Sequence, residues 1–267
     1  MQIFPYLCTK ILQSFCIMTQ NEIKQLRSLH LKKYRDELGL FVAEGDKCIS
    51  ELAQSFTLVH HLTPANTPLK DIERLSSLRT PQGSIAVFRK PAYELPTPQA
   101  GTLYLALDGI QDPGNLGTII RTANWFGIRD IVCSTDTADC FSPKVVQATM
   151  GALARVRVHY TNLSAWLAAA QASVTPHAFV IHGGSIPIYG TLLDGIDLYT
   201  PDAIPDRQSG IIVMGNEGNG LSREVRQLVT HSLRIPSFPP DQPTVESLNV
   251  AIATAVILAE FRRGKTR

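Results

Sequence analysis

The chain has 267 residues, 44% of them hydrophobic, and carries 25 Lys and Arg against 23 Asp and Glu, a formal net charge of +2. That apolar fraction supports a sizeable core and excludes a disordered chain, while the length fits one or two domains. The near-neutral balance excludes a tail-like polycation but leaves room for a local basic face.

Residues 1–18 are apolar, yet Lys10 interrupts the run and Cys16-Ile17-Met18 makes a poor signal-peptide cleavage site. The expectation is either that translation begins at Met18 or that residues 1–17 are a dispensable N-terminal extension. A helix is predicted over 20–37, then a strand turning into a helix in FVAEGDKCISELAQS, a strand TLVHHL, a helix over 68–76 and a strand SIAVFRK. This alternation reads as a small α/β domain over 19–90. PAYELPTPQAG, residues 91–101, has three prolines and reads as a linker.

LYLALDGI (103–110) is a nearly continuous apolar run, the pattern of a strand buried on both faces. A glycine-rich turn and a helix over about 115–127 follow, then IVCS, a helix over 142–152, RVRVHY, a helix over 163–171 and AFVIHG at 178–183. IIVMG (211–215) is the next buried strand. Ser222 is placed to cap a helix over 223–231, SLRIPS is a short strand, and 247–263 is a closing helix. Regular β-α alternation over 102–267 predicts a mostly parallel sheet with helices on both faces. The most apolar late run, 248–261, is too short for a membrane span and is interrupted by Asn249 and Glu260. The five cysteines, Cys8, Cys16, Cys48, Cys133 and Cys140, have no CxxC spacing. They read as reduced thiols of a cytoplasmic protein, with neither a zinc site nor a disulfide framework. His60 and His61 are adjacent on a strand, face opposite ways and make a poor metal pair.

Three loops carry polar residues that local structure explains least. In DGIQDPGNLGTIIRTA (108–123), Gly114 and Gly117 permit close backbone approach, Asn115 is placed to cap the helix, and Arg121 lies near Gly117 and Thr118 on one face. The segment reads either as a capped helix or as a phosphate-binding turn; GxGxxG and GxxxxGK are absent, which removes nicotinamide-dependent and P-loop readings. In VMGNEGNGLS (213–222), three glycines within six residues, interleaved with Asn216, Glu217 and Asn219, point to special dihedrals or a ligand against the backbone. In the third, Asn249 enters an alanine-rich apolar helix, where a buried amide would need hydrogen-bonding partners in a loop or ligand.

Together NLGTIIRTA (115–123), IVMGNEGNGLS (212–222) and SLNVAIATA (247–255) resemble the three signature motifs of the SpoU (TrmH) family of RNA 2′-O-ribose methyltransferases, in the SPOUT superfamily. The resemblance covers about 102–263; the part before the linker resembles, less specifically, the ribosomal-protein-like substrate-binding domain of many members. It implies an α/β domain with a C-terminal trefoil knot, which simple topology rules would not suggest, and a homodimer through the knot helices. It implies S-adenosylmethionine held by Gly215, Ile235 and Leu248, with Asn216 and Gly220 in the same glycine loop. Asn115, Arg121, Glu217, Ser247 and Asn249 match the family's polar positions: Arg121 beside the reacting hydroxyl and phosphate, Asn115 and Asn249 orienting the nucleophile, Glu217 and Ser247 shaping the pocket. The lip between Ile235 and Ser247, with FPPDQPTVE, departs from the compact glycine-containing loop expected there.

The implied substrate is ribosomal RNA, with transfer RNA as the alternative and a catalytically silent RNA-binding protein as a third reading. Lys24, Arg27, His30, Lys32, Lys33 and Arg35 form the densest basic segment, and Lys24, Arg27, Lys32, Lys33 and Arg35 are the candidate RNA contacts. Arg155, Arg157, Arg262, Arg263, Lys265 and Arg267 are further candidates.

Overall fold

In the computed structural model of the chain, residues 18–172, 186–239, 245 and 247–263 are described. The expected N-terminal extension (Met18 apart), the expected strand at 178–183, Lys265 and Arg267 lie outside the described residues.

The first unit runs α1 (Gln20–Ser28), α2 (Lys32–Leu38), β1 (Leu40–Glu44), α3 (Asp46–Leu52), β2 (Leu58–Leu62), α4 (Leu69–Leu75) and β3 (Ile85–Arg89). Its strands form an antiparallel sheet in the order β1-β3-β2. Thr19 and Glu22 close a reciprocal capping box at the start of α1. The single helix predicted over 20–37 is two helices, because Leu29 is buried where the chain turns. The carbonyl of Leu29, left without a helical donor, accepts from Arg35 Nη1 at 2.7 Å.

That contact corrects one expectation. Arg35 is only 2% exposed; its Nε and Nη2 donate to Asp139 Oδ2 at 3.0 and 2.7 Å. It ties the first unit to the second and does not belong to the basic surface.

The second unit comprises β4 (Leu103–Leu107), α5 (Pro113–Trp125), β5 (Asp130–Ser134), α6 (Pro143–Thr149), β6 (Arg157–Thr161), α7 (Leu163–Ala172), β7 (Ile188–Asp197), β8 (Gly210–Met214), α8 (Arg223–Arg226), β9 (His231–Arg234) and α9 (Val250–Arg262). The sheet order is β6-β5-β4-β8-β7-β9 and every pairing is parallel, as the β-α alternation predicts. β4, β5 and β8 are buried at all five positions. β7 escapes a pattern reading: its ten residues hold two glycines, and its register against β9 shifts between Thr191 and Ile196. A Cβ on Gly195 would lie 2.6 Å from the Leu233 carbonyl carbon, so the close pass of β9 demands glycine there. The helix expected over 223–231 is a single turn, and the one over 142–152 is α6 followed by a 3-10 turn at Ala152–Ala154. Residues 240–244 and 246, in the part of the chain where the trefoil knot is expected, lie outside the described residues.

The two units share a core. Phe41, Leu52, Phe56 and Phe88 pack in one cluster with Leu105, Leu107 and Ile119, and the Phe41 and Phe141 rings meet at 4.8 Å. Residues 91–101 have no regular structure, yet the Pro96 carbonyl accepts from Trp166 Nε1 at 2.8 Å. Arg155 pairs with Glu51 across the same junction at 2.5 Å, and Arg157 pairs with Asp130 at 2.6 Å. These two arginines are therefore internally engaged. Burial pushes the Cys48 thiol up to about 11 and Cys140 up to about 12, so both stay protonated near neutrality.

Breaking a buried ion pair from one side typically costs about 3–5 kcal/mol. Arg35→Ala should destabilise the protein on that scale in urea unfolding, whereas exposed Lys33→Ala should change stability by no more than about 0.5 kcal/mol. Equal midpoints for the two variants would remove Arg35 from the junction.

Candidate active site

The strand order reverses at β4 and β8: β5 and β6 lie on one side of that pair, β7 and β9 on the other. In open α/β sheets ligands gather at such a switch point, beyond the C-terminal strand ends. The loops leaving β4 and β8 are the first two segments singled out by sequence.

After β4, the Asp108 amide donates to the Met214 carbonyl at 2.9 Å, prolonging the pairing with β8. The buried Asp108 carboxylate accepts from the Ser222 amide at 2.7 Å and so pins the far end of the glycine loop. The Gly109 amide donates to Ser134 Oγ at 2.8 Å. Asp112, not Asn115, caps α5: its Oδ1 accepts from the Asn115 amide at 2.8 Å, with Pro113 in the first turn. The start of α5 thus has its Asn115 amide satisfied by a carboxylate, whose negative charge disfavours the phosphate-binding reading of this turn. Gly117 serves helix packing: a Cβ there would lie 2.4 Å from Ala148 Cβ on α6.

After β8, the loop closes on itself. Asn216 and Gly220 exchange backbone hydrogen bonds of 2.9 Å in both directions. Asn216 Oδ1 accepts from the amides of Gly218 and Asn219 at 2.9 and 3.1 Å, and its Nδ2 donates to the Gly109 carbonyl at 2.7 Å. A Cβ on Gly215 would meet the Gly220 carbonyl carbon at 2.4 Å, so only glycine fits under this closure. Ser222 stands at the N-cap of α8 but makes no side-chain cap.

The third segment enters through Asn249. It is exposed, not buried, and caps α9: Oδ1 accepts from the amides of Ala251 and Ile252 at 3.0 and 3.3 Å. Its Nδ2 donates to Asn115 Oδ1 at 3.0 Å and to Glu217 Oε1 at 3.1 Å. Asn115 Nδ2 also donates to Glu217 Oε1. Three residues, 102 and 32 positions apart along the chain, therefore form one closed triangle. Beside it a cavity of about 210 Å³ is lined by Ile110, Asn115, Asn216 and Glu217 among others.

The remaining sequence candidates are placed less tightly. Ile235 follows β9 and packs against the main core. Ser247 and Leu248 are exposed just before α9, and Leu248 leaves 47% of its surface open. Arg121 is exposed on α5 and makes no side-chain hydrogen bond or ion pair among the described residues. Lys24, Arg27, Lys32 and Lys33 are exposed on α1 and α2, with Lys32 2.6 Å from Asp36. Arg262 donates to the Phe126 carbonyl and Arg263 pairs with Glu260. Sequence reading passed over Asp108, Asp112 and Ser134; the signal available for Asp108 was its place as the first polar residue after a fully apolar strand. Among the described residues there is no cluster of three or more His, Cys, Asp or Glu fit for a metal, and no helix long and apolar enough to cross a membrane.

Comparison with known proteins gives concordant matches. Residues 102–259 match the model of the SpoU rRNA Methylase family, and residues 20–71 match an MRM3-like substrate binding domain. The 23S rRNA (guanosine(2553)-2′-O)-methyltransferase RlmP of Bacillus subtilis is 28% identical, over 90% of this chain and 96% of its own. A protein of the TrmH family from Porphyromonas gingivalis superposes with a TM-score of 0.80 at 41% identity, covering 93% of this chain and 100% of that one. An AdoMet-bound rRNA methyltransferase from Sinorhizobium meliloti superposes with a TM-score of 0.78 at 30% identity, covering 94% and 97%. With its three motifs meeting at the switch point of a parallel sheet, the chain belongs to the SpoU rRNA methylase family.

Proposed function

We propose that this protein transfers a methyl group from S-adenosylmethionine to a ribose 2′-hydroxyl of ribosomal RNA. The observation that carries the reading is the Asn115–Glu217–Asn249 triangle, one polar residue from each motif. When bound, S-adenosylmethionine supplies an activated methyl group on a sulfonium, so the protein's task is alignment.

The residues present fit that cofactor. Gly215 offers main-chain groups at the end of β8, and Ile235 and half-exposed Leu248 offer apolar edges for an adenosyl group. Asn216 and Gly220 lock the loop in shape through their mutual backbone bonds.

The triangle fixes the amide orientations of Asn115 and Asn249, because Glu217 Oε1 accepts from both. Held amides orient a hydroxyl without reorganising as it reacts. Ser247 borders the same entry to α9. Arg121, without a side-chain partner among the described residues, is available to a phosphate and to the alkoxide developing on the 2′-oxygen; a guanidinium is a poor base, so its part is electrostatic. Lys24, Arg27, Lys32 and Lys33 extend the positive surface onto the first unit, where substrate RNA would be gripped.

A homodimer completes the reading. Trp125, 84% exposed at the end of α5, and exposed Ile252 on the neighbouring α9 are apolar surface that an isolated protomer leaves in water. The family's trefoil knot and a cytoplasmic location belong to the same proposal. Transfer RNA is the less favoured substrate, because the relative named for a single nucleotide is named for 23S rRNA.

With labelled S-adenosylmethionine and RNA from cells lacking the gene, label should appear in a 2′-O-methyl nucleoside of ribosomal RNA; label only in transfer RNA would reverse the substrate assignment. Arg121→Ala should abolish transfer while cofactor affinity stays within a few fold, and parallel loss of both would sink its assigned role. Losing an N-cap costs about 1 kcal/mol, and serine caps as well as asparagine. Asn249→Ser should thus keep the melting temperature but lower kcat at least tenfold, whereas Asn249→Ala lowers both; wild-type turnover in Asn249→Ser would dismiss the amide. Light scattering at micromolar concentration should give twice the protomer mass, and a protomer mass would undo the α5–α9 interface.

A further inference from the structure

A second cleft, of about 550 Å³, opens where the two units meet, away from the cavity beside the triangle. One wall is α2, through Lys32 and Asp36; another is the chain leaving β3, through Lys90 and Tyr93; the third is the β5–β6 side, through Thr135 and His159. Its volume is that of a small-molecule site, and the reading of the protein as an RNA methyltransferase assigns it nothing.

Its chemistry is mixed in a specific way. Tyr93 leans on His159, ring centroids 5.9 Å apart, and keeps 38% of its surface open. Lys32 and Lys90 converge on the carboxylate of Asp36 at 2.6 and 2.5 Å, and the second carboxylate of the lining, Asp139, is neutralised from behind by Arg35 at 2.7 Å, so one positive charge is left in surplus. Exposed Thr135 adds a hydroxyl. An aromatic face, a polar edge and a surplus cation match an unstacked nucleotide, whose base needs a π-surface and whose phosphate needs a positive charge.

Position supports the match. The cleft begins at Lys32, inside the basic segment of α1 and α2. Its far wall is the loop after β5, and that loop also braces the methyl-transfer loop. The Ala138 amide donates to the Ile110 carbonyl at 2.8 Å, and a Cβ on Gly109 would face Asp136 Oδ2 at 3.1 Å. Cleft and triangle thus flank one loop, and an RNA strand gripped by α1 and α2 would cross the cleft mouth on its way to the triangle.

We propose that this cleft receives an unstacked nucleotide of the substrate RNA other than the methylated one, with its base against Tyr93 and its phosphate at Lys32 and Lys90. The inference rests on the RNA-methyltransferase reading above. With the full-length protein and protein-free ribosomal RNA from cells lacking the gene, Tyr93→Ala should raise KM for RNA on the order of tenfold, the scale of one lost base stack. Cofactor affinity should be unchanged, and Tyr93→Phe should restore KM. Ultraviolet cross-linking followed by peptide mass spectrometry should join residues 90–95 to a nucleotide other than the methylated one. If Tyr93→Ala fails to fold, Lys32→Gln, altering an exposed side chain, should still raise KM. Wild-type KM in the folded variants, with cross-links confined to α1 and the triangle, would overturn the cleft and leave the methyltransferase standing. No transfer to RNA by the wild-type protein would overturn both.

Discussion

Five consecutive parallel pairs, Leu103↔Gly210 through Leu107↔Met214, hold β4 against β8, and every functional contact described above is built outward from that ladder. It is the place where the chain changes direction across the sheet, so the two strands deliver their following loops to one point. The Asp108 amide extends the ladder by one bond, its carboxylate fastens Ser222, and Asn216 reaches back to the Gly109 carbonyl. With both loops fixed at both ends, Glu217 and Asn115 need no help from substrate to find one another. Asn249 then joins from a helix that its own side-chain oxygen caps, so one residue both starts α9 and completes the triangle.

Much of this could be read from residue order. Apolar runs such as 103–107 and 211–214 admit little besides buried parallel strands, and the polar residues after them had no local reason to be there. The third motif was legible as an anomaly, an amide at the head of an alanine-rich helix. What could not be read was which bond that amide makes, since capping and cross-loop donation use opposite ends of the same group. Asp112 was hidden for a related reason: Asp and Asn are equally good caps, and only the backbone path decides between 112 and 115.

The misreadings share a cause. Arg35 sits among lysines and arginines in sequence, so composition assigns it to the surface. Its burial follows from a contact with Asp139, 104 residues away, that no local pattern encodes. Arg155 and Arg157 differ from it: they pair with Glu51 and Asp130 but stay about half exposed. β7 was missed because its glycines look like turn signals, although Gly195 is required by the backbone of β9 passing over it. Charge and glycine are ambiguous one-dimensional signals, and their meaning is set by long-range neighbours.

The internal use of these charges bears on how the two units cooperate. A linker of three prolines suggests a tethered RNA-binding module. Instead the first unit shares a hydrophobic core with the second and is pinned by the Arg35–Asp139 and Arg155–Glu51 pairs. Asp139 belongs to the loop whose Ala138 amide supports Ile110, at the wall of the cavity beside the triangle. On the proposed function, a force applied where RNA would grip α1 and α2 would reach the loop after β4 through packed atoms and short polar contacts. A shared core of this kind would set the distance from that basic surface to the proposed reacting ribose. Selection of one nucleotide in a folded RNA would then be a matter of fixed geometry, with no need for the protein to read the sequence of bases in between.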